Sequence, residues 1–203
     1  IDPVRGITNL SSGKMGFAIA RAARMAGAEV TLVSGPAHLP TPRGVTRINV
    51  QSARQMLDQV RAHVALAHVF VATAAVADWR PDTQAEQKIK KEGSGATPVL
   101  QFVENPDILA TVAQSPRALS GQLFCVGFAA ESHDLLAHAK AKRVRKQVPL
   151  LVGNIGPATF GQDDNALLLV DAHGETELPH ASKQKLAMQL IDQITRRILN
   201  RTG

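Results

Sequence analysis

Residues 9–34, NLSSGKMGFAIARAARMAGAEVTLVS, decide the fold class, because a polar, glycine-containing turn leads into a helix and then into a strand. Gly27 favours an end to that helix, and the run from Glu29 to Ser34 is typical of a buried strand. The helix is indicated by apolar residues at the three- and four-residue spacing of one helix face, namely Met15, Ala18, Ile19, Ala22, Ala23 and Ala26. This order of elements predicts an α/β fold.

The same alternation of strands and helices continues along the rest of the chain. Strands are predicted over residues 45–50, 68–75, 98–103, 123–128 and 150–152, and a hairpin over residues 166–170 and 176–178. Helices are predicted after Ser52, from Asn105-Pro106, over residues 133–146 and after Ser182. The pattern predicts a Rossmann-like, doubly wound, mostly parallel sheet with a small hairpin appendage. Ligands in such sheets bind beyond the carboxyl ends of the strands.

The composition favours one globular domain that binds an anion. The chain has 203 residues, of which 44% are hydrophobic, and a formal net charge of +6. Positive charge favours a phosphorylated small ligand, although a soluble protein with a basic face explains it equally well. Nucleic acid is not expected as a partner, because six Phe, one Trp and no Tyr leave few side chains on which bases could stack.

The cysteine content and the hydropathy bear on location. The single cysteine, Cys125, excludes a disulfide framework and a cysteine-based zinc site, so we expect a buried thiol in a reducing compartment. No apolar run reaches the ~18 residues that span a membrane, and no signal peptide is recognised. A cytoplasmic protein without membrane contact is therefore expected. The chain opens at Ile1 without an initiator Met, which indicates a fragment of a longer protein.

Two polar segments are candidates for binding phosphate and metal. The turn at residues 9–16 leads into a helix start, where N–H groups favour phosphate, but it is neither a Walker A loop nor G-x-G-x-x-G. An ordinary capped turn is an equal alternative. Small residues at 74–77 would let a ligand approach the end of the strand predicted over residues 68–75. Asp78 could hold a divalent cation there, or it could pair with Arg80.

Three further motifs carry lysines or a helix start. Lys88-Ile89-Lys90-Lys91 lies on a glycine-bearing loop and is either a lid that brings ammonium groups to a phosphoryl centre or a solvated run of charge. Asn105-Pro106-Asp107-Ile108 is a helix start that either faces a ligand or simply caps the helix. Lys142 and Lys146 share one helix face, where they either grip a triphosphate or lie in solvent.

In this order, the segments resemble the signature motifs of the bacterial-type phosphopantothenoylcysteine synthetases. The matching motifs are Asp2-Pro3-Val4-Arg5 with Thr8-Asn9, Ser11-Ser12-Gly13-Lys14-Met15-Gly16, Ala74-Ala75-Val76-Ala77-Asp78, Lys88-Ile89-Lys90-Lys91, Asn105-Pro106-Asp107-Ile108, Gly127-Phe128-Ala129-Ala130-Glu131, Asn154, Phe160-Gly161 and Asp164-Asn165. The resemblance covers nearly the whole chain and implies a single nucleotide-binding ligase domain over residues 1–203. Members carry a first strand and a Gly-Gly-Thr-like turn upstream of the Asp-Pro-Val-Arg motif. We therefore expect the sheet to lack one strand here.

The resemblance implies a two-step ligation in coenzyme A biosynthesis. The carboxylate of 4'-phosphopantothenate attacks the α-phosphate of CTP and releases pyrophosphate. The amine of L-cysteine then attacks the acyl-cytidylate and releases CMP. Mg²⁺ or Mn²⁺, together with lysines, offsets the repulsion between the carboxylate and the triphosphate. Members pair as homodimers, and the bacterial type is usually the carboxyl half of a protein whose amino half is a flavin-dependent decarboxylase.

The resemblance also implies the site residues, position by position. Lys88 and Asn9 are the implied catalytic residues, with Asn9 binding phosphopantothenate and the acyl-cytidylate, and Asp78 is the implied metal ligand. The implied nucleotide-binding residues are Ser11, Ser12, Gly13, Ala72, Thr73, Ala74, Asp78, Asn105, Pro106, Asp107, Ile108, Phe128, Lys142 and Lys146.

Two other functions are open on the residues alone. A dinucleotide-dependent oxidoreductase shares this fold, but the chain has no G-x-G-x-x-G fingerprint, and Ser34 stands where an acidic residue would end the strand. A non-catalytic module that binds nucleotide or nucleic acid would explain the positive charge but not the ordered motifs.

Overall fold

The structure of the chain, a computed structural model, describes residues 1–90, 97, 99–131, 134–155 and 162–200. Predicted features that fall on residues 91–96, 98, 132–133 and 156–161, among them Lys91 and Phe160-Gly161, lie outside the described residues. No helix in the described ranges is both long and apolar enough to cross a membrane.

Helices and strands alternate along the described ranges, as the sequence pattern predicts. The helices are α1 Lys14–Met25, α2 Ala53–Val64, α3 Ile108–Ala113, α4 Pro116–Leu119, α5 Leu135–Lys146 and α6 Lys183–Leu199. The strands are β1 Thr31–Ser34, β2 Thr46–Asn49, β3 Val69–Ala72, β4 Trp79–Pro81, β5 Phe102–Glu104, β6 Phe124–Glu131, β7 Leu150–Ile155, β8 Asp164–Val170 and β9 Glu175–Ser182. The α/β class is confirmed.

Local sequence explains where the long helices begin. α2 begins at a capping box, in which the Ser52 side chain accepts a hydrogen bond from the N–H of Gln55 and the Gln55 side chain accepts one from the N–H of Ser52. α6 begins where the Ser182 side chain accepts a bond from the N–H of Lys185. α1 follows Gly13, whose φ of 75° lies in the left-handed region that favours glycine. These three predicted helices are confirmed.

The predicted start of α3 is wrong by two residues. Asp107, not Asn105, caps this helix, because its carboxylate accepts a bond from the N–H of Ala110 at 2.9 Å. The Asn105 side chain is committed elsewhere and donates to the carbonyl of Ala77 at 2.8 Å. The strand expected at 98–103 is present as β5, which is shorter among the described residues. It is short because its antiparallel partner, β4, has only three residues.

The central sheet has five strands in the order β3-β6-β7-β8-β9. β3, β6 and β7 run parallel, whereas β8 and β9 add an antiparallel hairpin beside β7. The predicted hairpin is therefore present, and it extends the main sheet instead of standing apart from it. β1 and β2 pair parallel in a sheet of their own, and β4 pairs with β5 in a third.

Two hydrophobic clusters cover the two faces of the central sheet. Consecutive residues of β6 point to opposite faces, so Cys125 joins the cluster with α2, α3 and α5, and Val126 joins the cluster with α1 and α6. Both side chains are buried, at 1% and 0% exposure. Burial raises the pKa of the Cys125 thiol to about 11, so the thiol is protonated at neutral pH and unreactive, which confirms the predicted buried cysteine.

We expect Gly127→Ala to destabilise the fold, because this glycine of β6 lies under tightly packed leucines. A Cβ at Gly127 would lie 2.6 Å from Cδ2 of Leu109 and 2.9 Å from Cδ1 of Leu151. Overpacking of this kind costs about 1–3 kcal/mol of unfolding free energy. Urea denaturation would measure the loss. Gly6→Ala is the control, since nothing lies within 4 Å of a Cβ at Gly6; equal stability of both variants would contradict the packing argument.

Candidate functional site

The candidate residues that follow β3 and end β6 lie at one edge of the sheet. β3 and β6 are parallel with Ala72 opposite Gly127, so Thr73 and Ala74 leave β3 beside Phe128. Because the carboxyl ends of parallel strands share an edge, this is where ligands bind in such folds. Phe128 is partly buried and packs against the cluster with α1 and α6.

The first turn of α1 touches this edge. A Cβ at Gly16 would lie 2.8 Å from Oγ1 of Thr73, which shows how closely the helix approaches the end of β3. Gly13 is the N-cap of α1 and provides no side-chain cap. The N–H groups of a helix start attract anions. The predicted turn with Ser11, Ser12 and Gly13 is therefore brought to the residues that follow β3.

Asn9 joins the opening turn to the loop after β3. Its side-chain amide donates to the carbonyl of Ala75, and its Oδ1 accepts from the N–H of Ser11 at 3.1 Å. Both ends of the amide are therefore used, and they require an amide rather than a carboxylate. Asn9 is exposed, so a ligand at this edge can reach it.

Asn105 braces the loop between β3 and β4. Its backbone N–H donates to the carbonyl of Asp78 at 2.7 Å, in addition to its side-chain bond to Ala77. Arg80 binds the carbonyl of Glu104 and lies 3.4 Å from Oδ1 of Asn105. The alternative pairing of Asp78 with Arg80 is not what the structure shows.

Asp78 fits the divalent cation that the family resemblance implies. Its carboxylate is exposed at the end of the loop that Asn105 braces. Within the described ranges, no group of three or more His, Cys, Asp or Glu side chains could hold a metal. A single carboxylate suits Mg²⁺, which proteins usually bind through one or two carboxylates, with waters and substrate phosphates completing the shell.

Asp107 and Lys146 bring α3 and α5 together. The Lys146 ammonium binds Asp107 Oδ2, and the Lys146 side chain is 17% exposed. The same carboxylate caps α3, so a triphosphate that used Lys146 would compete with Asp107. Lys142 lies one turn earlier on α5 and is partly exposed. Pro106 is partly buried, and Ile108 is buried in the core, so the Ile108 side chain is not available to a ligand.

Lys14 forms a charge pair that the sequence motifs do not predict. Lys14 is the first residue of α1, and its ammonium lies 2.7 Å from Asp163 Oδ1, just before β8. Lys14 holds the pKa of the Asp163 carboxyl below its ordinary value. Lys14 belongs to the Ser-Ser-Gly-Lys motif, but its partner, Asp163, is distant in the sequence, so no local pattern predicts the pair.

Lys88 lies in a segment without helix or strand, and its side chain is exposed. Among the contacts of the described residues, none joins the Lys88 side chain to Asn9, Asp78 or Lys146. The backbone of the next residue, Ile89, is held by Asp2 and Arg5. The structure thus links the lysine motif to the opening segment, residues 1–5, by bonds to the backbone of Ile89.

Comparison with known proteins identifies the family. Residues 1–198 match the family described as DNA/pantothenate metabolism flavoprotein C-terminal domain. The chain is 49% identical over 197 residues to the coenzyme A biosynthesis bifunctional protein CoaBC of Vibrio cholerae, and 46% identical over 202 residues to that of Escherichia coli. The alignments cover 96% and 97% of this chain but 49% of each relative. The chain therefore spans about half the length of these relatives.

A solved structure agrees with this assignment. The crystal structure of the C-terminal domain of coenzyme A biosynthesis bifunctional protein CoaBC superimposes with a TM-score of 0.81 at 35% identity. The match covers 98% of this chain and 90% of that chain. It confirms both the fold and the family resemblance that the ordered motifs indicate. The chain belongs to the family of the DNA/pantothenate metabolism flavoprotein C-terminal domain.

Proposed function

We propose that this chain is the ligase domain that joins 4'-phosphopantothenate to L-cysteine in coenzyme A biosynthesis, with CTP as the activating nucleotide. The observation that carries the proposal is the bond from the Asn9 amide to the carbonyl of Ala75, which brings the turn at residues 9–16 to the loop after β3. The close approach of Gly16 to Thr73 supports it. Relatives named as bifunctional proteins of coenzyme A biosynthesis support the pathway.

The first step forms a mixed anhydride. A carboxylate oxygen of 4'-phosphopantothenate attacks the α-phosphorus of CTP, and pyrophosphate leaves. The chain's own cations, Lys88 and the pair Lys142 and Lys146, offset negative charge that gathers on the phosphates. When bound at Asp78, Mg²⁺ or Mn²⁺ supplies further charge neutralisation of the triphosphate.

The second step forms the amide. The amine of L-cysteine attacks the carbonyl carbon of the acyl-cytidylate, CMP leaves, and the amine loses a proton. Asn9 orients the anhydride beside the loop after β3, where its amide is already held by Ala75 and Ser11. Lys88 stabilises the negative charge that develops in this step.

The setting of the reaction is also part of the proposal. The chain acts as a homodimer in the cytoplasm, without nucleic acid or membrane as a partner. In the full-length protein it is joined to a flavin-dependent decarboxylase, which is consistent with relatives of about twice its length.

One assay tests the proposed function against its rivals. The protein is incubated with CTP, 4'-phosphopantothenate and L-cysteine, and pyrophosphate, CMP and the amide are measured. All three products should form in equal amounts. Nucleotide binding without pyrophosphate would favour the non-catalytic module, and hydride transfer to or from a nicotinamide dinucleotide would favour the oxidoreductase.

We expect CTP to support turnover about tenfold better than ATP, because selection of the base rests on one or two net hydrogen bonds to the pyrimidine edge. Backbone groups at residues 72–74 and the Phe128 region are the proposed readers of that edge, since β3 and β6 place them side by side. The measurement is kcat/KM for each nucleotide at saturating phosphopantothenate and cysteine. Equal values would remove base selection from the proposal.

A further inference from the structure

The Asp2 carboxylate accepts hydrogen bonds from three residues, Val4, Arg5 and Ile89. Its Oδ1 accepts from the backbone N–H groups of Val4 and Arg5, at 3.0 and 2.9 Å. Its Oδ2 accepts from the Arg5 guanidinium, with Nε at 2.9 Å, and from the N–H of Ile89 at 3.1 Å. The side chain is fully buried, at 0% exposure. These bonds, with the Arg5 guanidinium as the largest cause, hold the pKa of Asp2 far below its ordinary value, so it is ionised at neutral pH.

Arg5 completes the grip on Ile89. Its Nη2 donates to the carbonyl of Ile89 at 2.8 Å, so both the N–H and the C=O of that residue are bonded to the opening segment. A third bond runs from the N–H of Ala85 to the carbonyl of Ile1 at 3.0 Å. We call the Asp2 and Arg5 side chains, with their bonds to Ile89, the Asp2–Arg5 clamp.

The clamp acts on the peptide groups on both sides of Ile89. The N–H of Ile89 belongs to the planar peptide group whose carbonyl comes from Lys88, and the carbonyl of Ile89 belongs to the group that continues into Lys90. Fixing the first plane holds the Cα atom of Lys88 and the direction of its Cα–C bond, so the Cα–Cβ bond of Lys88 can only rotate about that fixed axis. The surrounding residues 82–90 form no helix or strand that would fix this direction otherwise.

We propose that Asp2 is a positioning residue, whose carboxylate acts with Arg5 to aim the Lys88 side chain at the reacting centre. The inference rests on the proposed function, in which Lys88 is catalytic. It assigns to the Asp-Pro-Val-Arg segment a role separate from substrate contact. A positioning residue differs from a residue that only stabilises the fold, because its substitution lowers the rate only while the residue that it positions is present.

Asp2→Asn is the direct test. The variant keeps one acceptor oxygen for Val4 and Arg5, but an NH₂ group then faces the N–H of Ile89 and the Arg5 guanidinium, which are both donors. We expect amide hydrogen exchange at Ile89 to become at least about tenfold faster, because its bonded acceptor is lost. We also expect kcat to fall about tenfold with little change in KM for CTP, since small misplacements of catalytic groups are costly.

A matched control makes the same chemical change in the loop that the clamp holds. Asp82 is exposed, and only its backbone N–H forms a described hydrogen bond, to the carbonyl of Gln101. Asp82→Asn should leave Ile89 exchange and kcat as in the wild type. Equal effects of Asp82→Asn and Asp2→Asn would overturn the proposal, because they would reflect loss of charge rather than loss of the clamp.

A double-mutant cycle separates positioning from general stabilisation. In a Lys88→Gln background, Asp2→Asn should cost no further rate, because no ammonium is left to aim. The same tenfold loss in both backgrounds would overturn the proposal, as would wild-type exchange at Ile89 in Asp2→Asn. Wild-type turnover in Lys88→Gln would instead defeat the catalytic role of Lys88 and with it the aiming role, while faster Ile89 exchange would still show that Asp2 holds the loop.

Arg5→Lys provides a second variant if Asp2→Asn does not fold. Lysine keeps the positive charge beside Asp2 but lacks the planar fork that reaches both Asp2 and Ile89. The expected result is the same pattern of faster Ile89 exchange, lower kcat and loss of the rate effect in the Lys88→Gln background. Wild-type exchange and kcat in Arg5→Lys would overturn the clamp.

Discussion

Lys88→Gln should lower the overall rate of amide formation by about 10²–10³-fold, while CTP binding largely survives. An ammonium group can stabilise negative charge that develops on the reacting centre, and a neutral amide cannot. Loss of one such electrostatic interaction costs about that factor in other enzymes. Binding survives in this expectation because other residues, including Asp78, Lys142 and Lys146, also contact the nucleotide in the proposal.

A rapid-quench assay distinguishes the two steps in the Lys88→Gln variant. If the second step depends on Lys88 more than the first step, acyl-cytidylate accumulates. If the first step depends on Lys88 more, neither the intermediate nor the product forms at the wild-type rate. Lys90→Gln is the matched control, because Lys90 is another exposed lysine of the same motif, and its loss should be much smaller. Product formation at the wild-type rate in Lys88→Gln would show that the motif is only a solvated run of charge.

Asn9→Asp should reduce turnover by about 10²-fold without unfolding the protein. The substitution puts a carboxylate oxygen where the Asn9 amide donates to the carbonyl of Ala75, so two acceptors face each other across the site. It also adds negative charge near the phosphates of the substrates. Displacement of a reacting group by about 1 Å is enough for a loss of this size.

The measurement for Asn9→Asp is kcat/KM for phosphopantothenate, accompanied by thermal denaturation to show that the fold is intact. Asn49→Asp is the control, since Asn49 uses only its Oδ1 in a described bond, which accepts from Nε of Arg47 at 2.7 Å, and aspartate preserves that bond. Unchanged turnover in Asn9→Asp would remove Asn9 from the site.

Local signals in the sequence predicted much of the fold. The helix with apolar residues from Met15 to Ala26 is α1, and the helices after Ser52 and Ser182 are α2 and α6, because periodic apolar residues and capping side chains act over a few neighbouring residues. The buried strands were recognised for a similar reason. Strands covered on both faces, such as β6, are continuous apolar runs that stand out from their surroundings.

Local signals failed where the partner of a residue is distant in the chain. Asn105 has the sequence context of a helix cap, yet its side chain braces Ala77, 28 residues earlier. The short strand β4 lies in a polar stretch and exists because β5 pairs with it. The hairpin of β8 and β9 was predicted, but its place beside β7 depends on strand pairing, which short-range patterns do not encode.

The sequence by itself determined the α/β class, the main helices and strands, and the family, because periodicity, caps and the order of motifs are properties of neighbouring residues. Only the tertiary structure decided which motifs meet. The bonds of Asn9 to Ala75 and of Asp2 to Ile89 join residues that are 66 and 87 positions apart. Hydrogen bonds between residues so far apart in the sequence depend on how the whole chain packs, so no local pattern around either partner predicts them.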